Sequence, residues 1–240
     1  MLTPATGPRL SPSVSDLSSS PKGSQYPPPP GGEPHWPAQL TVLAAIVLQL
    51  LLPTRLTVGS KWILPGLEAV MLLALFVASP QRIEAPHSLR RQLTLATTAV
   101  VSVANGISLV LLAHYLLHNN SSPHARQLII AGTLIWLTNV LIFSLWYWEI
   151  DRRGPGLRAA GLDGPPDFLF PNMTDEITRL SPGWRPRFVD YLYVSLTNAT
   201  AFSPTDTMPL TAQAKMMMGL QSLVSLVTLG LVVARAVNIL

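Results

Sequence analysis

The residues of this chain best suited to chemistry are hydroxyl and amide side chains in its last fifth. Seven of them lie between positions 195 and 207: Ser195, Thr197, Asn198, Thr200, Ser203, Thr205 and Thr207. They follow an apolar stretch that begins near Phe188 and precede a long apolar segment. At membrane depth such side chains are stable beside water or against other polar groups inside protein. The cluster therefore predicts either a polar path for a cation or a hydrogen-bonded contact between helices.

The composition is typical of a membrane protein. Of the 240 residues, 48% are hydrophobic and 12% are charged, and the mean hydropathy is +0.36; a soluble domain carries about 25% charged residues. The net charge of +4 and the lack of a basic run argue against a nucleic-acid partner. The absence of cysteine excludes disulfides and thiolate metal sites. No nucleophile, base and orienting group occur together, so we expect no enzymatic activity, cofactor or metal centre.

Four apolar segments precede the polar cluster, and each is close to the roughly 20 residues that cross a bilayer as a helix. They run from about 38 to 58, 62 to 78, 93 to 117 and 128 to 148. Residues 1–37 contain ten prolines and predict a disordered cytoplasmic tail. Residues 151–187 are polar and rich in glycine and proline, and predict a connector outside the hydrocarbon. Residues 188–240 hold the cluster and the last apolar helix. We thus expect an all-α, polytopic bundle of about six transmembrane segments.

The segment that starts at Phe188 can be read in two ways. Only about ten apolar residues precede Thr197, too few to span a bilayer, so the segment is either a thin crossing or a half-helix followed by an irregular return. With a crossing, twelve Lys and Arg lie on the side of the N-terminus and of the connector. Four lie on the other side: Arg55, Lys61, Arg126 and Lys215. The positive-inside rule then favours six crossings in the cell membrane, with both termini cytoplasmic.

The order of residues from Asp190 to Lys215 resembles the pore loop of potassium channels. In that pattern an Asp, a Tyr and a Ser precede a Thr-rich filter entry, and Asp-x-x-Pro, a Thr and a basic residue open the inner helix. Here Tyr193 and Ser195 follow Asp190, and the segment 206–209 reads Asp-Thr-Met-Pro. The resemblance covers about 50 residues, and it extends to uncharacterised bacterial membrane proteins built as four helices followed by a pore-like pair.

The filter itself departs from the potassium-channel pattern. Residues 200–205 read Thr-Ala-Phe-Ser-Pro-Thr, with one residue more than the pattern and no glycine. A potassium filter needs successive backbone carbonyls and a permissive backbone, and Pro204 fixes its own φ. The resemblance therefore implies a channel-like homo-oligomer, a tetramer by analogy, with a diverged filter that conducts cations. Its candidate pore residues are Thr197, Asn198, Thr200, Phe202, Ser203 and Asp206.

One face of the last helix and one intramembrane carboxylate are further candidates for a functional role. Gln221, Ser225 and Thr228 share one face of the last helix, where they would border a water-filled path or hydrogen-bond within the bundle. Glu68 lies in the second apolar segment, and an intramembrane carboxylate suggests function by default. Two alternatives to a channel follow: a non-conducting structural or partner-binding membrane protein, and a small transporter that uses Glu68.

Overall fold

The structure is a computed structural model that describes residues 34, 36–56, 66–67, 69–70, 73, 88–118, 125–159, 164–174, 177, 183–201 and 206–237. The described part is mostly helical, as expected. Its helices are α1 (Trp36–Leu50), α2 (Ser88–His118), α3 (Ala125–Ile150), α4 (Pro155–Ala159), α5 (Phe188–Ala201) and α6 (Ala212–Val237). Two short strands, β1 (Phe168–Leu169) and β2 (Met208–Pro209), pair antiparallel.

Three of these helices are long and apolar enough to cross a membrane: Arg91–Leu116, Arg126–Arg153 and Ala212–Val237. They correspond to the third, fourth and last apolar segments of the sequence, and they are consistent with a membrane location. Helix α1 is apolar but has only 15 residues, and α5 has 14. The second predicted segment, with Glu68, and the predicted N-terminal tail lie almost wholly outside the described residues.

Helix α3 is the centre of the bundle and packs against α1, α2, α5 and α6. Its sequence is predominantly apolar and large apolar side chains lie on all its sides, which is typical of a helix surrounded by other helices. About two-thirds of its apolar stretch is buried, compared with 22% for α6. The exposed faces of α1, α2 and α6 carry Leu, Val and Met side chains, as expected of surfaces that face lipid or another subunit.

Contacts along α3 give the direction of the first two helices. Ala38 and Val42 of α1 share a cluster with Trp148 and Ile150 at the end of α3. Leu52 and Leu56, which follow α1, pack instead with Leu128 and Ala131 near the start of α3. In α2, Ser102 accepts a hydrogen bond from Trp146 Nε1 near the end of α3 (3.0 Å). Further along α2, Leu109 and Leu112 pack in the cluster at the start of α3. Both α1 and α2 therefore run antiparallel to α3.

We call the end of the bundle at Ile150 the connector end, because residues 151–187 follow it. Asp151, directly after α3, accepts hydrogen bonds from the backbone N–H of Asp167 (2.8 Å) and from Tyr191 Oη (2.6 Å). The Asp167 carboxylate in turn accepts one from Thr211 Oγ1 (2.6 Å). The same hydroxyl accepts a bond from Ala214 N–H in the first turn of α6, which is N-terminal capping.

Helices α5 and α6 both begin at the connector end and run antiparallel to α3. Phe188 packs edge-to-face against Trp148 at that end, and Ser195 Oγ donates to Val140 O two turns deeper (2.7 Å). The start of α6 is fixed there by Thr211, and β2 pairs with β1 at the same end. The chain thus enters the bundle along α5 and has come back to the connector end by β2.

This arrangement differs from the thin crossing that the charge count favoured. A crossing would place the start of α6 at the opposite end of α3 from the start of α5. The expected six crossings, with both termini on one side, required that crossing. Among the described helices, the first turn of α1 and the last turn of α6 instead lie at opposite ends of α3. The half-helix interpretation, which the sequence left open, fits the packing.

Candidate functional site

Four buried polar side chains join α3, α5 and α6 at mid-depth, and we call them the amide network: Tyr147, Ser195, Asn198 and Gln221. Each has at most 2% of its surface exposed. The Gln221 carboxamide is the hub. Its oxygen accepts hydrogen bonds from Tyr147 Oη (2.5 Å) and Asn198 Nδ2 (2.9 Å). Its nitrogen donates to the carbonyl and the hydroxyl of Ser195 (2.9 and 2.7 Å).

Further bonds fix the network to the backbone and along α6. Ser195 Oγ donates to the Val140 carbonyl of α3 (2.7 Å), and Asn198 Nδ2 donates to the Met218 carbonyl of α6 (3.0 Å). One turn deeper, Asn139 Nδ2 donates to Ser225 Oγ (3.0 Å). A buried polar group is stable when its hydrogen bonds are formed inside the protein. The network therefore sets both the depth and the rotation of α5 against its neighbours.

The predicted face of α6 thus lies inside the subunit. Gln221, Ser225 and Thr228 are fully buried. Gln221 and Ser225 bond to α3 or α5, and the Thr228 hydroxyl bonds back to Val224 O (2.7 Å). Within the described residues this face is an interhelical contact, the second of the two roles that the sequence left open for it.

The predicted pore residues of α5 divide between two faces. Asn198 belongs to the buried network. Thr197 is partly exposed and Thr200 is exposed, and both hydroxyls bond back to carbonyls one turn earlier in α5, at 2.9 Å. The structure therefore separates Asn198, which holds the helix, from Thr200, which faces outward near its end.

The remaining predicted residues are placed less fully. Asp206 lies at the connector end next to β2, and its side chain is exposed. Phe202 and Ser203, like Glu68, lie outside the described residues. Within the described ranges, no group of three His, Cys, Asp or Glu residues could hold a metal ion.

Helix α5 also has a clear electrostatic polarity. Its N-terminus carries Asp190, whose carboxylate accepts a hydrogen bond from the Arg187 backbone N–H (2.6 Å). Burial raises the pKa of Asp190, while the hydrogen bond and the charge of Arg187 act in the opposite direction. The last turn of α5 has no basic residue. Its carbonyl end, which carries a partial negative charge, therefore ends deep in the bundle without a cation on that turn.

The connector contains a packed structure that the sequence reasoning missed. We call residues 151–159, 164–174 and 206–211 the cap. In it, the buried Arg158 guanidinium donates to the carbonyls of Trp148 (2.9 Å) and Asp151 (2.6 Å), and it lies over the Tyr191 ring at 5.6 Å from the centroid. Phe168 is fully buried in the same place. The signal in the sequence was the run of three large apolar residues Phe168-Leu169-Phe170, whose side chains have no role in a solvated loop.

The backbone at the start of the cap is unusual. Arg152 and Arg153 both have positive φ, at 50° and 68°, in the left-handed region that non-glycine residues rarely adopt. The Arg152 backbone N–H donates to Asp167 Oδ2 (3.1 Å). The tight reversal directs the chain from α3 into the cap, and the Asp151–Asp167 contacts stabilise it.

No known protein family, curated protein or solved structure matches this chain. The resemblance of residues 188–240 to a potassium-channel pore therefore stays a prediction from the sequence.

Proposed function

We propose that this chain is an integral membrane protein that assembles into a channel-like homo-oligomer and conducts cations. One observation carries the proposal: α5 and α6 begin at the same end of α3, so α5 enters the bundle without crossing it. A half-helix of 14 residues is about 21 Å long, and its carbonyl end therefore lies well inside the bundle. Half-helix ends of this kind coordinate cations in membrane transport proteins.

The charge distribution of α5 supports a cation over an anion. A helix C-terminus carries about half a negative charge, which is effective where water is scarce. The last turn of α5 offers no basic side chain to cancel it. At the connector end, the exposed Asp206 carboxylate would raise the local concentration of cations. In this proposal Thr200, exposed on the last turn, is the described side chain closest to the ion.

The amide network has a supporting role in this proposal. Gln221 and Asn198 are committed to hydrogen bonds within the subunit, so they do not line the conducting path. They hold α5 at a fixed depth, as preorganisation of a site requires. The path itself would form between subunits, at a symmetry axis, where the outward faces of α5 and α6 meet. The tetramer implied by the resemblance is one such assembly.

The test is cation flux from liposomes that contain the purified protein. Thr200→Val removes the exposed hydroxyl. Thr133→Val is a matched control, because Thr133 is also exposed and its hydroxyl also donates one turn back, to Ile129 O (3.0 Å). We expect Thr200→Val to lower the flux by about tenfold, a barrier change of about 1.4 kcal/mol, and Thr133→Val to leave it unchanged. Equal flux for both variants and the parent would refute the role of Thr200.

A second candidate function is a non-conducting structural or partner-binding membrane protein. The observation that favours it is the amide network itself, since its polar groups are paired inside the subunit rather than turned outward. The packed cap would then be the surface that binds a partner. Absence of flux under any cation or voltage, from protein shown to be folded and oligomeric, would favour this function. A transporter that uses Glu68 stays a prediction, because that residue lies outside the described ranges.

A further inference from the structure

The two ends of the bundle differ in their basic residues. Within the described residues, eight lie at the connector end: Arg90, Arg91, Arg152, Arg153, Arg158, Arg185, Arg187 and Lys215. Three lie at the opposite end: Arg55, Arg126 and Arg235. The direction of each helix relative to α3 decides these assignments, so the counts follow from the packing.

The placement of α6 matters most for this distribution. Its first turn lies at the connector end because Thr211 bonds to Asp167 (2.6 Å) and caps the helix. Lys215 is therefore on the side of the cap, and Arg235, near the other end of α6, is on the opposite side. A crossing by α5 would have exchanged these two positions.

The connector end also presents its cations outward. Arg91 of α2, Arg153 of the cap, Arg187 before α5 and Lys215 of α6 are all exposed. They belong to four different elements, so they are spread around the bundle rather than grouped on one helix. Exposed cations next to apolar spans are retained on the cytoplasmic side during insertion, where they meet anionic lipid headgroups.

We propose that the connector end faces the cytoplasm, so that α5 enters the bundle from the cytoplasmic side and α6 ends on the outer side. This inference rests on the membrane placement in the proposed function. It specifies the side of the membrane, the cytoplasmic side, from which a cation reaches the half-helix. The cap and Asp206 would then contact the cytoplasmic solution, and the cations around them would contact the anionic headgroups of the inner leaflet.

Cysteine labelling tests the orientation directly, because the native chain has no cysteine. Gly156→Cys places a thiol in the cap, where an added Cβ meets nothing within 4 Å. Gln127→Cys places one in the first turn of α3, at the opposite end, where the side chain is exposed. A membrane-impermeant maleimide is applied to right-side-out vesicles, before and after permeabilisation. Labelling in detergent confirms that both thiols react.

We expect Gln127→Cys to react in sealed vesicles and Gly156→Cys to react only after permeabilisation. Reaction of Gly156→Cys in sealed vesicles would overturn the proposal. Met208→Cys and Val237→Cys form a second, independent pair at the connector end and the opposite end, with 60% and 67% of their native side chains exposed. They should give the same pattern if one variant of the first pair fails to fold.

The labelling result is independent of conduction. If the thiols react in the predicted pattern but no cation flux is measured, the proposed channel function is refuted and the orientation stands. Flux with the reversed pattern would keep the channel and refute the orientation.

Discussion

Replacement of Gln221 by leucine should loosen α5 from the bundle, because one carboxamide joins three helices. Gln221 takes part in four hydrogen bonds with Tyr147, Asn198 and Ser195. Leucine has a similar volume but cannot form any of these hydrogen bonds. The change therefore removes the polar contacts while leaving most of the packing intact.

The size of the effect follows from these bonds. An interhelical hydrogen bond in a membrane protein contributes about 0.6 kcal/mol on average and up to about 1.7 kcal/mol. The Tyr147 hydroxyl and the Asn198 amide are also left with fewer partners in a buried place, which adds to the cost. We expect the free energy of unfolding to fall by about 2 to 4 kcal/mol.

The assay is unfolding in mixed micelles, with the helical circular dichroism signal recorded against the mole fraction of a denaturing detergent. The matched control is Leu220→Ala, one residue earlier, where 55% of the side chain is exposed and the cost should be under about 0.5 kcal/mol. An unfolding free energy for Gln221→Leu equal to that of the parent would refute the idea that the amide network holds α5.

The same unfolding assay checks three further predictions. Asp151→Asn places an amide against hydrogen-bond donors in the cap and should cost about 1 to 3 kcal/mol; no loss would contradict the role of this carboxylate. Arg153→Gly should stabilise the protein by about 0.5 kcal/mol, because glycine tolerates a φ of 68°; a loss would show that the Arg153 side chain matters more than its backbone. Gly132→Ala should lower the free energy of unfolding by about 1 to 3 kcal/mol, since the added Cβ would clash with Val232 Cγ2. Gly219→Ala is the control, because its Cβ meets nothing within 4 Å, and it should not lower the free energy of unfolding.

The long helices could be predicted from the sequence because their signal is local. The apolar segments at 93–117 and 128–148 correspond to α2 and α3, and the predicted start of the last helix at Thr211 is one residue before α6. Apolar length alone indicates such helices. The polar face at Gln221, Ser225 and Thr228 was also visible from helical spacing, but spacing does not say what the face contacts.

The course of α5 could not be predicted in the same way, because it depends on contacts distant in sequence. The charge count treated Lys215 as lying across the membrane from the connector. The bond between Thr211 and Asp167, 44 residues apart, places it on the same side. The cap was missed for a similar reason: Asp151, Arg158 and Tyr191 meet only after the chain has folded, and their local sequence resembles a polar loop.

The same limit applies to the candidate site. Composition identified the stretch from Ser195 to Thr207 as polar, yet it could not separate supporting residues from exposed ones. Asn198 and Thr200 are two residues apart, so they point to different sides of α5. The first is buried between helices and the second faces outward. Only the packing of α5 against α3 and α6 distinguishes them.

The chain enters the bundle along α5 and is back at the connector end by β2, and distances between spin labels distinguish this course from a crossing. One protein carries nitroxides on Lys215→Cys, in the first turn of α6, and on Gln127→Cys, in the first turn of α3. A second protein carries them on Lys215→Cys and Arg187→Cys. Residues 127 and 150 are separated by about 35 Å along α3. We therefore expect a distance of about 35 Å or more between the labels at 127 and 215, and a shorter one between those at 187 and 215. The reverse order of the two distances would show that α5 crosses the bundle and that α6 begins at the opposite end.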